Sequence, residues 1–320
     1  MLAFGPIPSR RLGRSLGINN IPPKICSYSC VYCQVGCTLK MQVARQAFYR
    51  PEGLLDEVKK KIAEVRKAGE FIDYLTFVPD GEPALDINLG REIDLLKAFG
   101  FKIAVITNAS LIWQDEVRND LMKADWVSLK VDAVNEEVWR QVNRPHRSLQ
   151  LSSILEGMIK FARIYKGELT TETMLVKGLN DSPKHAEQIA DFLAQLKPDK
   201  AYLSIPIRPP AEKWVRPPDE EIINVFYQVF DKKVKSVEYL IGAEGNAFAA
   251  TGNVAEDLLS ITAVHPMREE AVREFLARAQ VDASLVQELL ARGLLCVTEY
   301  EKVRFYLRKL PERRNNRMSM

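Results

Sequence analysis

Hydrophobic positions in the first 245 residues follow two alternating periods. Short runs rich in β-branched and aromatic residues predict strands, and apolar positions three or four apart predict helices between them. The predicted strands cover residues 12–18, 73–78, 101–108, 126–131, 169–176, 201–205 and 237–241. The predicted helices cover residues 51–65, 92–99, 116–123, 136–142, 149–165, 183–196 and 219–230. This alternation predicts an α/β fold with parallel strands and helical crossovers, and six or seven strands predict a partial (β/α)6 TIM-like barrel.

The segment before the first predicted strand is read as irregular and basic. Pro6 and Pro8 interrupt it, and Arg10, Arg11 and Arg14 follow closely. These arginines are suited to a phosphate or a substrate carboxylate. An ordinary solvated or structural basic segment explains them equally well.

The pattern changes near residue 245, where a glycine-rich linker begins. Three helices, at 254–261, 268–279 and 284–292, are followed by two strands at 294–300 and 302–307. This order predicts a winged-helix-like domain, with the division 1–245 for the barrel and 246–320 for the module. The positive charges of the module lie in the hairpin and tail: Lys302, Arg304, Arg308, Lys309, Arg313 and Arg314. Because the third helix carries only Arg292, we expect a docking or substrate-recognition module and not a DNA reader.

Composition excludes several classes of protein. The net charge is +3, which neither requires nor excludes a nucleic-acid partner. The first residues lack the shape of a signal peptide, and no run of about 18 apolar residues predicts a membrane span. Five cysteines, three of them clustered, do not form the pattern of a disulfide framework. We therefore expect a soluble cytoplasmic protein that makes no membrane contact.

The clustered cysteines are Cys26, Cys30 and Cys33, with spacing Cys-x3-Cys-x2-Cys. Thiolates this close on one loop can converge on one metal centre, and three ligands leave one iron of a cubane cluster open. A structural zinc site is the alternative, and it would need a fourth Cys or His nearby, for which Cys37 is the one candidate; the first histidine of the chain is His146.

Polar residues follow three of the predicted strands at the end where barrel enzymes place their active sites. After the second strand comes the turn Asp80-Gly81-Glu82-Pro83, which can also be read as a plain Asp-Gly turn. Asn108 ends the third strand. Ser128, Lys130 and Asp132 share one face of the fourth strand by its period of two, and buried polar residues need partners. A bound cofactor would supply them; a buried Lys130–Asp132 pair is the alternative.

The cysteine motif, with Tyr32 before its last cysteine, resembles the signature of the radical S-adenosylmethionine (SAM) superfamily. The Asp80–Pro83 turn is similar to that family's Gly-Gly-Glu-Pro motif, with Asp80 in place of the first glycine. The resemblance implies a partial barrel, a [4Fe-4S] cluster and SAM, with the amino and carboxylate groups of SAM on the open iron. It implies that Asp80, Gly81, Glu82 and Pro83 hold the SAM amino group, and that Tyr32, Asn108, Ser128, Lys130 and Asp132 contact other parts of SAM. An external one-electron donor, such as a flavodoxin or ferredoxin, is implied as well.

Within this superfamily, residues 5–245 resemble a broad group related to the tRNA wyosine-base (4-demethylwyosine) synthases. The segment 171–181 carries part of that likeness. This chain has no cysteine before Cys26, whereas those synthases hold a second cluster near their N-terminus. We therefore carry over the radical chemistry and not the wyosine product.

Three functional hypotheses follow. The first is a radical SAM enzyme that modifies a macromolecule, tRNA or protein, with Arg10, Arg11, Arg208 and Trp214 as candidate substrate contacts. The second is a radical SAM enzyme or activase for a small molecule or partner protein. The third is a non-enzymatic, redox-sensing regulator that binds nucleic acid.

Overall fold

The computed structural model describes residues 2–242 and 245–309. Ala243 and Glu244 of the predicted linker, and Arg313 and Arg314 of the basic tail, lie outside the described residues. No helix in the described ranges is both long and apolar enough to cross a membrane.

A curved eight-stranded sheet forms the larger unit. Its spatial order is β1-β2-β5-β6-β7-β8-β9-β10, and every pair except β1–β2 is parallel. The strands are β1 Ala3–Ser9, β2 Gly13–Ile18, β5 Tyr74–Phe77, β6 Lys102–Thr107, β7 Trp126–Lys130, β8 Glu168–Met174, β9 Lys200–Ser204 and β10 Val237–Leu240. Two short strands, β3 Ile25–Cys26 and β4 Lys40–Met41, pair with each other in the cysteine-containing loop. The seven parallel strands confirm the predicted partial barrel.

Helices cover the outer face of this sheet. They are α1 Pro51–Lys67, α2 Leu89–Lys97, α3 Asp115–Leu121, α4 Glu136–Asn143, α5 Leu151–Ile164, α6 Pro183–Leu196 and α7 Glu220–Asp231. Their apolar faces and the outward strand residues form one buried core, as the helical spacing predicts. A single 3-10 turn, Pro83–Leu85, follows β5.

The basic segment at the N-terminus is not irregular, which corrects the prediction. Residues Ala3–Ser9 form β1, which pairs antiparallel with β2 at the edge of the sheet. Pro6 and Pro8 are compatible with this position because an edge strand need not donate every backbone N–H to a neighbour. Arg10 and Arg11 then lie in the tight turn between β1 and β2.

The C-terminal module has the predicted three helices and hairpin, with one short strand added. Its elements are α8 Val254–Val264, β11 Met267–Arg268, α9 Glu269–Arg278, α10 Ser284–Ala291, β12 Leu295–Tyr300 and β13 Val303–Arg308. The three strands pair in the order β11-β13-β12, and the module has a core of its own that begins at Phe248. The division of the chain at residues 245 and 246 stays a prediction.

The module packs on the barrel beside β1. Lys61 of α1 is buried and its ammonium lies 2.5 Å from Asp257 of α8, with Thr251 as a second partner. The neighbouring Lys59 and Lys60 are exposed, whereas α8 covers Lys61. On the other side of the opening, the Tyr300 hydroxyl donates to the carbonyl oxygen of Pro206 at 3.4 Å. The module therefore contacts the barrel both at α1 and at the loop that follows β9.

Candidate active site

The cysteine-containing loop follows β2 and lies over the carboxyl end of the barrel. Cys26 ends β3, and Cys30 and Cys33 close a turn in which the Cys33 N–H donates to the Cys30 carbonyl at 3.1 Å. None of these three cysteines forms a disulfide, and all three are partly buried. The backbone N–H of Val31 donates to Val142 of α4 at 2.9 Å, so the loop is fixed to a barrel helix.

Two side-chain amides lie against the sulfur atoms. Asn108 Nδ2 is 3.4 Å from Cys26 Sγ, and Asn143 Nδ2 is 3.5 Å from Cys30 Sγ. Burial raises the pKa of all three thiols, that of Cys30 to about 12. Thiols in such surroundings keep their protons unless a metal replaces them, whereas coordinated thiolates accept amide hydrogen bonds readily.

The Asp80–Pro83 turn lies directly beneath the cysteine loop. Gly81 has φ of 153°, and a Cβ at this position would collide with the carbonyl oxygen of Ile25. The Glu82 N–H donates to that same oxygen at 3.2 Å. Glycine is therefore required where the turn meets the residue before Cys26.

Glu82 joins this turn to the next strand. One carboxylate oxygen accepts from the Thr107 hydroxyl at 2.6 Å and from the Ala84 N–H at 2.9 Å, and the other accepts from the Asn108 N–H at 2.8 Å. Burial raises the pKa of Glu82 to about 7, although these three donors oppose the shift. Its side chain therefore fixes Asn108, which in turn reaches Cys26.

Asp132 orients Tyr32. One Asp132 oxygen accepts from the Tyr32 hydroxyl and, at 2.7 Å, from Asn143 Nδ2, while the other accepts from the Met174 N–H at 2.8 Å. Tyr32 directly precedes Cys33. The buried carboxylate thus connects the cysteine loop to α4 and to the end of β8.

Lys130 pairs with Glu172 and not with Asp132, the alternative that the sequence left open. Its ammonium is 2.8 Å from the Glu172 carboxylate, which also accepts from Arg11 and, at 2.9 Å, from Ser204. Burial alone would raise the pKa of Glu172, but Lys130 and Arg11 hold it well below its usual range. Ser128 is buried on the same face of β7.

A cavity of about 280 Å³ opens between these groups. Its walls include Tyr32, Cys33, Lys130, Glu172 and Arg11. A second cavity of about 220 Å³ adjoins it and shares Arg11, Gln34 and Arg208 as walls. Val264 of the C-terminal module lines both cavities, and His265 lines the second.

The candidate substrate contacts fall into two groups. Arg10 and Arg208 line the first cavity with Arg11; Arg10 donates to the Gly242 carbonyl at 2.7 Å, and Arg208 donates to Gln34 at 2.6 Å. Trp214 is half exposed and does not line either cavity.

Sequence reasoning missed four participants: Glu172, Asn143, Gln34 and Val264. Glu172 was detectable, because Thr170, Glu172 and Met174 alternate on one face of β8 as the polar residues of β7 do. Asn143 and Val264 give no such signal, because they reach the site through tertiary packing.

Comparison with known proteins identifies the family. Residues 20–193, more than half of the chain, match the radical SAM superfamily. The chain belongs to the radical SAM superfamily. It is also 48% identical over 317 residues to the UPF0026 protein MJ1312 of Methanocaldococcus jannaschii, with 98% of each chain covered, and belongs to that group of radical SAM proteins.

More distant similarities agree with this membership. The chain is 26% identical over 177 residues to a probable dual-specificity RNA methyltransferase, RlmN 2 of Protochlamydia amoebophila, covering 51% of this chain and 49% of that one. A radical SAM methyltransferase from Sphaerobacter thermophilus superposes with a TM-score of 0.53 at 18% identity, over 70% of this chain and 66% of that chain. This structural likeness shows the fold.

Membership confirms the predicted enzyme class and cofactors, since radical SAM proteins are enzymes that use a [4Fe-4S] cluster and SAM. The residues present fit the cluster. Three thiols share one loop, and amide donors contact two of the sulfurs. Among the described residues, no three His, Cys, Asp or Glu side chains are spaced to hold a single metal ion. A cubane binds each thiolate to a different iron and does not require that spacing.

Proposed function

We propose that this radical SAM enzyme modifies a macromolecule, with RNA such as tRNA as the first candidate and protein as the second. The supporting observation is the pair of adjoining cavities, which run from Cys33 and Tyr32 to the C-terminal module. One end of this space lies beside the cysteine loop, and the other end is lined by Val264 and His265 of the C-terminal module.

Cys26, Cys30 and Cys33 would hold three irons, and the fourth would remain open for the amino and carboxylate groups of SAM. When bound, the cluster would supply the one-electron reductive cleavage of SAM that characterises this superfamily. The Asp80–Pro83 turn would contact the SAM amino group, because it lies directly beneath the cysteine loop. Lys130 and Ser128 would contact the SAM carboxylate or ribose, with Tyr32 and Asn108 beside them. Asp132 acts in this proposal by holding Tyr32 in place.

The substrate would bind in the same space, beside the arginine side chains that line it. Arg10, Arg11 and Arg208 lie where a phosphate or carboxylate group could meet planar guanidinium donors. RNA is favoured for two reasons. The relative RlmN 2 is named as an RNA methyltransferase, and Lys302, Arg304, Arg308 and Lys309 are exposed on or beside the hairpin of the module.

The test starts with anaerobically reconstituted protein, SAM and a one-electron reductant of the flavodoxin or ferredoxin class. We expect about four irons per chain and formation of 5′-deoxyadenosine. Cys30→Ala should lose both, whereas Cys296→Ala, on β12 and outside both cavities, should lose neither. A wild-type protein that binds iron but never cleaves SAM would refute the catalytic proposal and favour the redox-sensing regulator.

The substrate class is tested separately by retention of tRNA over a salt series. Binding should weaken steeply with salt, because phosphate contacts release counterions. The triple variant Lys302→Gln, Arg304→Gln and Arg308→Gln should lower the salt slope, by about one for each lost phosphate contact. Retention that is independent of salt and of these side chains would exclude RNA and favour a protein substrate.

A small molecule is the alternative that one observation favours. The two cavities, about 280 and 220 Å³, together approach the size of pockets that enclose small ligands. Anaerobic incubation of the enzyme with deuterated tRNA or with deuterated cell metabolites distinguishes the two. Deuterium in 5′-deoxyadenosine from the metabolites alone would select the small-molecule substrate.

A further inference from the structure

A buried ion pair connects the cysteine loop to the Asp80–Pro83 turn. The Lys24 ammonium is 3.0 Å from an Asp80 oxygen, and each side chain is only 5% exposed. The backbone joins the same two residues, because the Lys24 N–H donates to the Asp80 carbonyl at 2.7 Å. Lys24 has φ of 64°, a conformation that side-chain-bearing residues adopt infrequently. The loop is thus built to hold this lysine in one place.

The pair is poorly explained by stability of the fold. Within the described residues, the Lys24 ammonium makes no hydrogen bond of good geometry, and the second Asp80 oxygen has no partner. A buried ion pair without such additional bonds often stabilises a protein less than apolar residues of similar size would. A role at the neighbouring site is the better explanation.

The position of Lys24 identifies that site. Lys24 lies two residues before Cys26, and its side chain is buried. Gly36, whose N–H donates to the Cys33 carbonyl, lies close enough that a Cβ there would be 3.7 Å from Lys24 Nζ. The ammonium therefore lies beneath the turn that carries Cys33.

We propose that Lys24 is a positioning residue whose ammonium, held by Asp80, stabilises the reduced state of the cluster at the iron that Cys33 binds. The inference rests on the proposed radical SAM function. The step is a one-electron reduction: the external donor loses one electron, and the cluster gains one negative charge. A fixed cation close by in a partly buried site favours the more negative state. Asp80 orients the ammonium and offsets part of its effect.

The test measures the midpoint potential of the cluster without SAM, by redox titration monitored with electron paramagnetic resonance. Lys24→Met should make the potential more negative by at least about 59 mV, a tenfold change for a one-electron couple. Asp80→Asn should shift it in the positive direction, and the double variant should return toward the wild type. Lys40→Met is the matched control, because Lys40 lies on the same loop with an exposed side chain and should leave the potential unchanged.

Lys24→Arg separates charge from shape. It keeps the positive charge and should keep both the iron content and a potential close to that of the wild type. Equal potentials in wild type and Lys24→Met would overturn the inference, as would a loss of cluster in both Lys24 variants, which would make the role structural. If the wild type itself lacks a reducible four-iron cluster, the proposed function fails first, so the two failures are distinguishable.

Discussion

Glu172 is the residue whose removal should disturb the barrel interior most. It is the shared counter-ion of Lys130 and Arg11, and the three side chains are 9%, 18% and 17% exposed. Glu172→Gln keeps the shape of the side chain but removes its charge. The two cations would then share a cavity wall without a carboxylate, and one of them would face the amide NH₂ group.

The expected loss of folding stability in Glu172→Gln follows from the burial of its ion pairs with Lys130 and Arg11. Breaking a buried ion pair by removing one partner costs about 3–5 kcal/mol, because the remaining charge is uncompensated. Since Lys130 and Arg11 keep some contact with the cavity, we expect the lower end, about 3 kcal/mol. The effect depends on pH with a definite sign. The pKa of Glu172 is lowered in the folded state, so its stabilisation is present above its ordinary pKa of 4.5 and is lost as the pH falls below that value.

The assay is urea unfolding of the cluster-free, reduced protein at pH 7 and at progressively lower pH. The matched control is Glu238→Gln, which removes an edge-strand ion pair with Lys200 whose carboxylate is 48% exposed. Exposed pairs contribute about 0–1 kcal/mol, so the control should change little. The double variant Glu172→Gln with Lys130→Met should recover part of the lost stability.

Equal destabilisation by Glu172→Gln and Glu238→Gln would refute this reasoning. An effect of Glu172→Gln that stays constant well below pH 4.5 would also refute it, because the stabilisation by the ionised wild-type carboxylate decreases in that range. Either result would mean that solvent in the cavity compensates Lys130 and Arg11, and that the ion cluster serves only the bound ligands.

Three further predictions concern other parts of the chain. Glu92 is fully buried, and burial raises its pKa to about 8 from 4.5, so wild-type stability should fall as the pH rises through this range. Glu92→Gln should make that fall smaller and leave the part that comes from Glu82, as melting temperatures from pH 5 to 9 would show. Lys61→Met leaves Asp257 buried without its counter-ion, so limited proteolysis between barrel and module should accelerate, whereas Lys59→Met, exposed on the same helix, should leave it unchanged. Val264→Trp would fill the cavity beside the module, so hydrogen abstraction from substrate should fall by about tenfold or more. SAM cleavage without substrate should persist. An equal loss of both activities would contradict the prediction that Val264 acts on the substrate alone.

The seven parallel strands and the helices of the barrel follow from local sequence, because their apolar positions have a strong period. Helix α6 is predicted with its observed ends, since Ser182 caps it and Pro183 begins it. β1 was missed because Pro6 and Pro8 argue against a strand unless its edge position is known. The burial of Lys61 is invisible for a related reason, because nothing in the sequence of α1 indicates that α8 covers this side chain.

The candidate site shows the same difference between features that local sequence predicts and features that depend on tertiary contacts. The cysteines and the Asp80–Pro83 turn are contiguous motifs, so their types and spacing are visible in the sequence. Glu172 and Asn143 act on residues 42 and 113 positions away, Lys130 and Cys30 respectively. Their roles depend on which strand and helix ends meet, which no local pattern contains.

The two halves of the site are held by different parts of the chain. Cofactor-side residues are fixed by the barrel itself, through Glu82 on Asn108 and Asp132 on Tyr32. The far wall is completed by Val264 and His265 of a module whose attachment depends on Lys61 and Asp257. Changes in the module can therefore alter which group enters the cavity while the cysteine loop keeps its geometry. On this basis we expect substrate choice to be determined by the module and radical formation by the barrel.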